Sequence, residues 1–264
     1  MLIAEIHGLY VPEAQNSEDY LTSTIFGHLR YIQPGPFWDA LFEVAFSEPI
    51  AQERINASEY IRQKSGGTLG SFATLHAIFW PEHKAGVPDL ILHFSGNHPQ
   101  SVAILVEAKL NATKSGIGER DQLARYLRIL DSLADLRPPL PADAITLAVY
   151  LTTIDSRNEL VESLAEYGDT DESRQRLFQL RWQDLVGAID RTRPNSPLER
   201  LVRDDVRAFL RARDLEYFSG MESAGTIPAV FEADGEFLKE ESLFDMDWIP
   251  TGLDIVNERW MHAD

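Results

Sequence analysis

The chain has 264 residues, 44% of them hydrophobic and 25% charged, with 42 acidic against 24 basic residues and a net charge of −18. That length and balance suit one large soluble domain, or a domain with an extension, and exclude a disordered or fibrous chain. The absence of cysteine removes disulfide frameworks and thiolate metal sites, and no apolar run approaches the roughly 18 residues that a membrane span needs. The first residues, Met1-Leu2-Ile3-Ala4-Glu5, lack the basic start and long apolar run of a signal peptide, so the expected location is the cytoplasm.

In chain order, Ser17 is placed to cap a helix from about Glu18 to Tyr31, which Pro34 and Pro36 stop. A second apolar helix is expected from Phe37 to Phe46, then helical residues 53–63 and a Ser-Gly-Gly loop at 65–67. Phe72–Trp80 reads as a first core strand, with His76 as a core or edge histidine, and His83 and Lys84 fall in the loop after it. Two further strand-like runs, residues 86–94 and 102–110, flank the turn cluster Ser95-Gly96-Asn97-His98-Pro99-Gln100. A helix beginning near Gly118 carries Leu123, Leu127 and Leu130 as an apolar stripe, with Gln122 and Tyr126 four apart on a neighbouring face. Ala144–Leu151 reads as a buried strand, Ser156–Tyr167 as a helix, and Phe178–Trp182 with Asp184 to Ile189 as a last strand–helix unit.

Ser196-Pro197-Leu198-Glu199 then opens a helix with an N-cap, a proline at the first position and a capping-box glutamate. Its apolar face is expected to be Leu198, Val202, Val206, Phe209 and Leu210, with Arg200, Arg203, Arg207 and Arg211 opposite. That stripe either tracks a phosphate backbone or is a solvated face paired with acids such as Asp204. From Arg174 to Arg213 there are 10 arginines against 5 acids, a net of +5, whereas residues 219–264 hold 11 acids against 2 bases, a net of −9. The overall acidity speaks against a nucleic-acid binder, but local fields decide binding. The tail has an Asp234-Gly235 turn between short apolar stretches, read as a small hairpin, a cover over the sheet or a solvated extension.

Three charges interrupt the two central apolar runs: Asp89 in Gly-Val-Pro-Asp-Leu-Ile-Leu, and Glu107 and Lys109 in Val-Ala-Ile-Leu-Val-Glu-Ala-Lys-Leu. An unpaired buried charge costs several kcal/mol, so three together mark a site. A hairpin centred near His98 sets Asp89 opposite Glu107, about 5 Å away, and puts Glu107 and Lys109 on one face. Two carboxylates that close repel unless a proton or a divalent cation intervenes. Hard oxygens completed by water suit Mg2+ or Mn2+. Such an ion polarises phosphate and acidifies a bound water, and the lysine can orient that water or offset developing charge.

Pro88-Asp89 followed by Glu107-Ala108-Lys109 resembles the signature of the PD-(D/E)XK nuclease superfamily, over roughly residues 17–151. The resemblance implies an α/β restriction-endonuclease-like fold: a central mixed sheet flanked by helices with an α-β-β-β-α-β core, then a helical C-terminal part and an acidic tail. On this reading residues 1–218 form the nuclease-like domain, 152–218 its accessory strand and helices, and 219–264 the extension. It implies a DNA-hydrolysing, Mg2+- or Mn2+-dependent enzyme whose ion is held by Asp89, Glu107 and the Ala108 carbonyl, with Lys109 assisting the water. Glu18, in Glu18-Asp19-Tyr20, is similar to the first-helix acid of some members and would complete the site; Glu43 and Glu82 are the alternatives. Gln122-x-x-x-Tyr126 resembles the accessory motif of exonuclease-like branches, which would put Gln122 at the metal or a phosphate and Tyr126 at the DNA backbone. Arg200, Arg203 and Arg207 would extend that surface.

No Gly-x-x-x-x-Gly-Lys-Ser/Thr loop, Gly-x-Ser-x-Gly elbow or His-Glu-x-x-His helix is present. Two rival readings remain: a nuclease-like module that binds DNA or protein without cutting, and an interaction protein working through its acidic C-terminal segment. A homodimer or a protein partner is compatible with either.

Overall fold

The structure is a computed structural model that describes residues 17–48, 53–110 and 112–217. The chain divides into two units, Met1–Tyr217 and Phe218–Asp264, and the readings made for the acidic tail, its Asp234-Gly235 hairpin included, fall outside the described residues.

Helix α1 (Glu18–Leu29) begins where the Ser17 hydroxyl accepts the Tyr20 amide proton (3.1 Å), and buries Leu21, Ile25, Phe26 and Leu29 at helical spacing. Helix α2 (Pro36–Glu43) starts on its proline but stops short of the expected Phe46. Phe46–Ser47 is instead β1, an edge strand whose Ser47 amide donates to the Ile55 carbonyl (3.1 Å). Helix α3 (Ala57–Ser65) opens later than residue 53 because Asn56 is its cap, accepting from the Glu59 amide (2.8 Å). It ends at Gly66, whose φ of +74° suits the left-handed closing turn that glycine adopts without strain.

Strands β2 (Thr74–Phe79), β3 (Leu90–Ser95), β4 (Val102–Ala108), β5 (Ile145–Thr152) and β6 (Leu177–Arg181) join β1 in one mixed sheet of order β1-β6-β5-β4-β3-β2. The β2–β3, β3–β4 and β1–β6 pairs are antiparallel; β4–β5 and β5–β6 are parallel. The β3–β4 pairs run from Leu90↔Val106 to Phe94↔Val102, so their midpoint is residue 98, where the turn cluster had placed it.

The remaining helices are α4 (Gln122–Leu130), α5 (Arg157–Tyr167), the short α6 (Asp171–Arg174), α7 (Trp182–Arg191) and α8 (Pro197–Ala212). Because side chains alternate along a strand, Leu90, Leu92, Ile104 and Val106 pack with residues of α1, α2, α3, α7 and α8 on one face. Ile91, Ala103 and Leu105 pack with α4 and α5 on the other. The result is an α/β architecture with helices on both faces. Among the described residues no helix is long and apolar enough to cross a membrane.

The topology has one consequence for chemistry. The carboxyl ends of β4, β5 and β6 lie at one edge of the sheet, with the start of β3 and the end of β2. The carboxyl edge of parallel strands is where open α/β sheets take ligands. Asp89, Glu107 and Lys109 all stand there.

Candidate functional site

Asp89 immediately precedes β3. Its carbonyl accepts the Trp80 amide (3.1 Å), and its Oδ2 accepts the Ala108 amide (2.9 Å), which ties it to the end of β4. Glu107 is the sixth residue of β4 and only 1% exposed. Its Oε1 receives Lys109 Nζ (2.8 Å) and Gln122 Nε2 (2.6 Å); its Oε2 is buried and makes no hydrogen bond within standard geometry among the described residues, with the Tyr126 hydroxyl near enough to the carboxyl to pull its pKa down. Lys109 Nζ also donates to Glu18 Oε2 (3.2 Å) and to the Ala108 carbonyl (3.2 Å). Glu18 Oε1 takes the Leu110 amide (3.2 Å), so the first turn of α1 is fastened to the chain leaving β4. Beneath the cluster, the Trp182 indole N–H donates to the Lys109 carbonyl (3.0 Å).

Burial, then the nearby Asp89 charge, pushes the Glu107 carboxyl up to about 7. Asp89 is also raised, chiefly by burial, against the opposing pull of the Ala108 amide and Lys109. Burial works against the Lys109 ammonium, yet Glu107, Glu18 and Asp89 outweigh it and hold its pKa above the ordinary value. The cluster is thus a set of strongly coupled acids arranged around one cation.

Helix α4 supplies the next layer. It begins at Gln122, not Gly118: residues Gly118–Arg120 form a single 3-10 turn, and Asp121 is the cap, accepting from the Ala124 amide (2.9 Å). Gln122 Nε2 also donates to the Tyr126 hydroxyl (3.0 Å), and that hydroxyl donates to the Val87 carbonyl (3.2 Å). Tyr126 is 3% exposed, and burial followed by the Glu107 charge keeps its hydroxyl protonated. A hydroxyl so enclosed braces the Pro88-Asp89 loop from within.

The residues present fit a divalent ion in one respect: a buried carboxylate oxygen with no partner costs about 1–3 kcal/mol, and Glu107 Oε2 lies in a charge cluster with Asp89. Asp89, Glu107 and the Ala108 carbonyl are hard donors of the kind magnesium or manganese takes with several waters retained. Among the described residues no three His, Asp or Glu side chains stand together as a ready metal cage. Lys109 Nζ fills the space between Glu18, Glu107 and the Ala108 carbonyl.

Of the three acids considered for the opening position, Glu18 is the one brought to Lys109. Glu43 is exposed at the end of α2, near Asp39, and Glu82 is exposed, with its backbone paired to Arg137. The arginine stripe is corrected in part. Arg200 is exposed, and Arg207 meets Asp190 (3.2 Å). Arg203, however, is 2% exposed: it pairs with buried Glu199, donates to the Thr192 carbonyl (3.0 Å) and lies over the Phe37 ring. On the helix wheel Arg203 adjoins Glu199, Val206 and Leu210, so it falls inside the packed face. Leu198, expected in that face, is 59% exposed.

Two features escaped the sequence reading. Lys114 forms a second buried cluster: its Nζ meets Asp121 Oδ2, Ser163 Oγ (2.9 Å) and Glu162 (3.4 Å), and its amide donates to Glu159 Oε2 (2.7 Å). Glu159 Oε2 also accepts the Tyr150 hydroxyl (2.9 Å). The available signal was Glu159 and Ser163, four apart on α5 beside inward-facing Leu160 and Leu164. The second feature is Trp80, a non-glycine residue at φ +47° and 43% exposed. That left-handed conformation costs about 1–2 kcal/mol.

Comparison of the chain with protein-family models, with curated proteins and with solved structures gives no match in any of the three.

Proposed function

We propose that the chain is a Mg2+- or Mn2+-dependent nuclease that hydrolyses DNA phosphodiester bonds, with the Asp89–Glu107–Lys109 cluster as its active site on a restriction-endonuclease-like sheet. The observation that carries this reading is Glu107. One of its oxygens is held by Lys109 and Gln122, and the other is buried without a hydrogen bond among the described residues, in a charge cluster with Asp89. Most buried polar atoms are hydrogen-bonded, so an orphaned oxygen inside a cluster of charges calls for a partner. The resemblance of Pro88-Asp89 and Glu107-Ala108-Lys109 to the nuclease signature supports the same conclusion.

Asp89, Glu107 and the Ala108 carbonyl would hold the ion. Bound there, it supplies Lewis-acid polarisation of a phosphoryl oxygen and a water of lowered pKa. Lys109 has three donors on a flexible stem, so it can turn from Glu107 to the attacking water and to the negative charge that develops on the phosphoryl oxygens. Glu18 keeps that stem within the site. Gln122 fixes Glu107 Oε1, so Oε2 is the oxygen that would be offered to an ion, and Tyr126 holds the Val87 carbonyl one residue before Pro88-Asp89.

The test is incubation of the full chain with linear and closed-circular DNA in manganese, beside Lys109→Ala and Asp89→Asn. The native chain should cut, and each variant should lose cutting on the order of 10³-fold, the scale of a lost transition-state donor. Cutting by both variants at the native rate would dismiss this site. A native chain that binds no Mn2+ in titration would dismiss the metal-dependent reading itself.

A further inference from the structure

We infer that Trp80 stacks on an unpaired base beside the scissile phosphate and so directs the enzyme to single-stranded DNA or duplex ends; this rests on the nuclease reading above. The three tryptophans among the described residues divide sharply. Trp38 and Trp182 are fully buried, whereas Trp80 is 43% exposed at the sheet edge that carries Asp89. The β2–β3 register ends at Phe79↔Leu90, so continuing it sets Trp80 opposite Asp89. Directly opposed residues lie about 5 Å apart. The Trp80 amide is bonded to the Asp89 carbonyl (3.1 Å), which makes the tryptophan and the candidate ligand acid one mechanical unit.

The backbone of Trp80 is left-handed at φ +47°. Strain of this kind persists where the surroundings enforce it, and it gathers at ligand clamps. The loop that follows Trp80 lines an open cavity of about 560 Å³ through Glu82, His83, Lys84 and Val87, together with Asp135 and Arg137. Val87 is 47% exposed, a second apolar surface at the mouth. Among the described residues Lys84 Nζ meets exposed Asp135 (3.0 Å). Such a surface pair is weak, so Lys84 is released at little cost to an arriving phosphate.

A part-exposed indole lying against Phe79, cations in the loop that follows it and a candidate phosphate-cleaving cluster joined to its backbone by one hydrogen bond match one substrate part: a nucleotide whose base is free to stack. Aromatic stacking on bases is sequence-tolerant. Inside a closed duplex both faces of every base are covered by neighbours, so only an unpaired or terminal base can use Trp80.

The experiment uses the full chain with Trp80→Phe, Trp80→Ala and Trp80→Gly, the last suited to the left-handed backbone. The probes are a short single-stranded oligonucleotide, the same sequence as blunt duplex, and closed-circular duplex. Binding is measured in EDTA by quenching of indole emission and by anisotropy of a labelled strand; cutting is measured in manganese. The inference expects single-strand binding to weaken about tenfold or more in Trp80→Ala and Trp80→Gly, with Trp80→Phe close to native. The loss should fall on KM more than on kcat, and the quenching should vanish in Trp80→Phe. Unchanged single-strand binding in both Trp80→Ala and Trp80→Gly overturns it. If the native chain cuts none of the probes, the nuclease reading fails, yet the quenching in EDTA still decides whether Trp80 meets a base.

Discussion

Two lysines five positions apart, Lys109 and Lys114, are each buried among carboxylates, and the difference between them separates a closed cluster from an open one. Lys114 belongs to a closed network. Asp121 uses one oxygen for the Ala124 amide and the other for Lys114, and Glu159 takes both the Lys114 amide and the Tyr150 hydroxyl. None of its side-chain atoms is left buried without a partner. The Lys109 network uses the same ingredients and is left open at Glu107 Oε2. A fully satisfied buried network fixes structure, whereas an open one holds unspent binding capacity at a chosen point. The closed network also anchors the segment between β4 and α4, which holds Gln122 against Glu107.

The largest expected effect breaks the closed member. Asp121→Ala leaves Lys114 buried without its nearest counter-charge and should cost about 3–5 kcal/mol of stability, read as a lower urea midpoint. An unchanged midpoint would put the two networks on the same footing. The open member is sharpened by pH. The folded-state pKa of Glu107 is raised from 4.5 to about 7, so the folded protein binds this proton more tightly than the unfolded chain. Stability of the metal-free protein should therefore be greatest below about pH 4.5 as far as this group is concerned, and fall as pH rises to about 7. The total is up to about 3 kcal/mol. Urea titrations in EDTA at pH 5 and 8 should show the fall in the native chain and a smaller one in Glu107→Gln; equal slopes would remove Glu107 as the cause. Added Mn2+ should restore stability more at pH 8 than at pH 5, because the ion needs the ionised carboxylate.

Smaller effects test the supports. Gln122→Ala frees Glu107 Oε1 and should lower metal affinity or cutting about 10–100-fold, the range for residues that orient ligands. A loss of stability without that loss of affinity would return Gln122 to the scaffold. The smallest effect is expected at Arg200. Arg200→Ala should shift stability by less than about 0.5 kcal/mol, and lower the salt slope of DNA binding by about one. An unchanged slope would take α8 off the DNA path.

Much of this was legible in the chain. The Ser95–Gln100 turn cluster between two apolar runs fixes the hairpin midpoint, and with it the register that faces Asp89 towards Glu107. The Gln122–Tyr126 pair was legible from its four-residue spacing, although its role as an internal brace was not, since spacing says nothing about which face a neighbour covers. Arg203 was misplaced because a charged residue at the border of a helix stripe is buried only if a partner such as Glu199 waits there. Two-residue β1 carries no periodicity to detect. The Lys114 cluster joins residues from three separate segments through polar contacts, which leave no pattern in any one segment.

The contact between Glu18 and Lys109 spans 91 positions of chain. Pairings so distant are assembled late, after the closure of long loops has been offset by other contacts. The opening helix is therefore pinned to the middle of the domain: Lys109 gains its Glu18 partner only once α1 has met the end of β4. A chain in which they have not met leaves the Lys109 ammonium without that carboxylate.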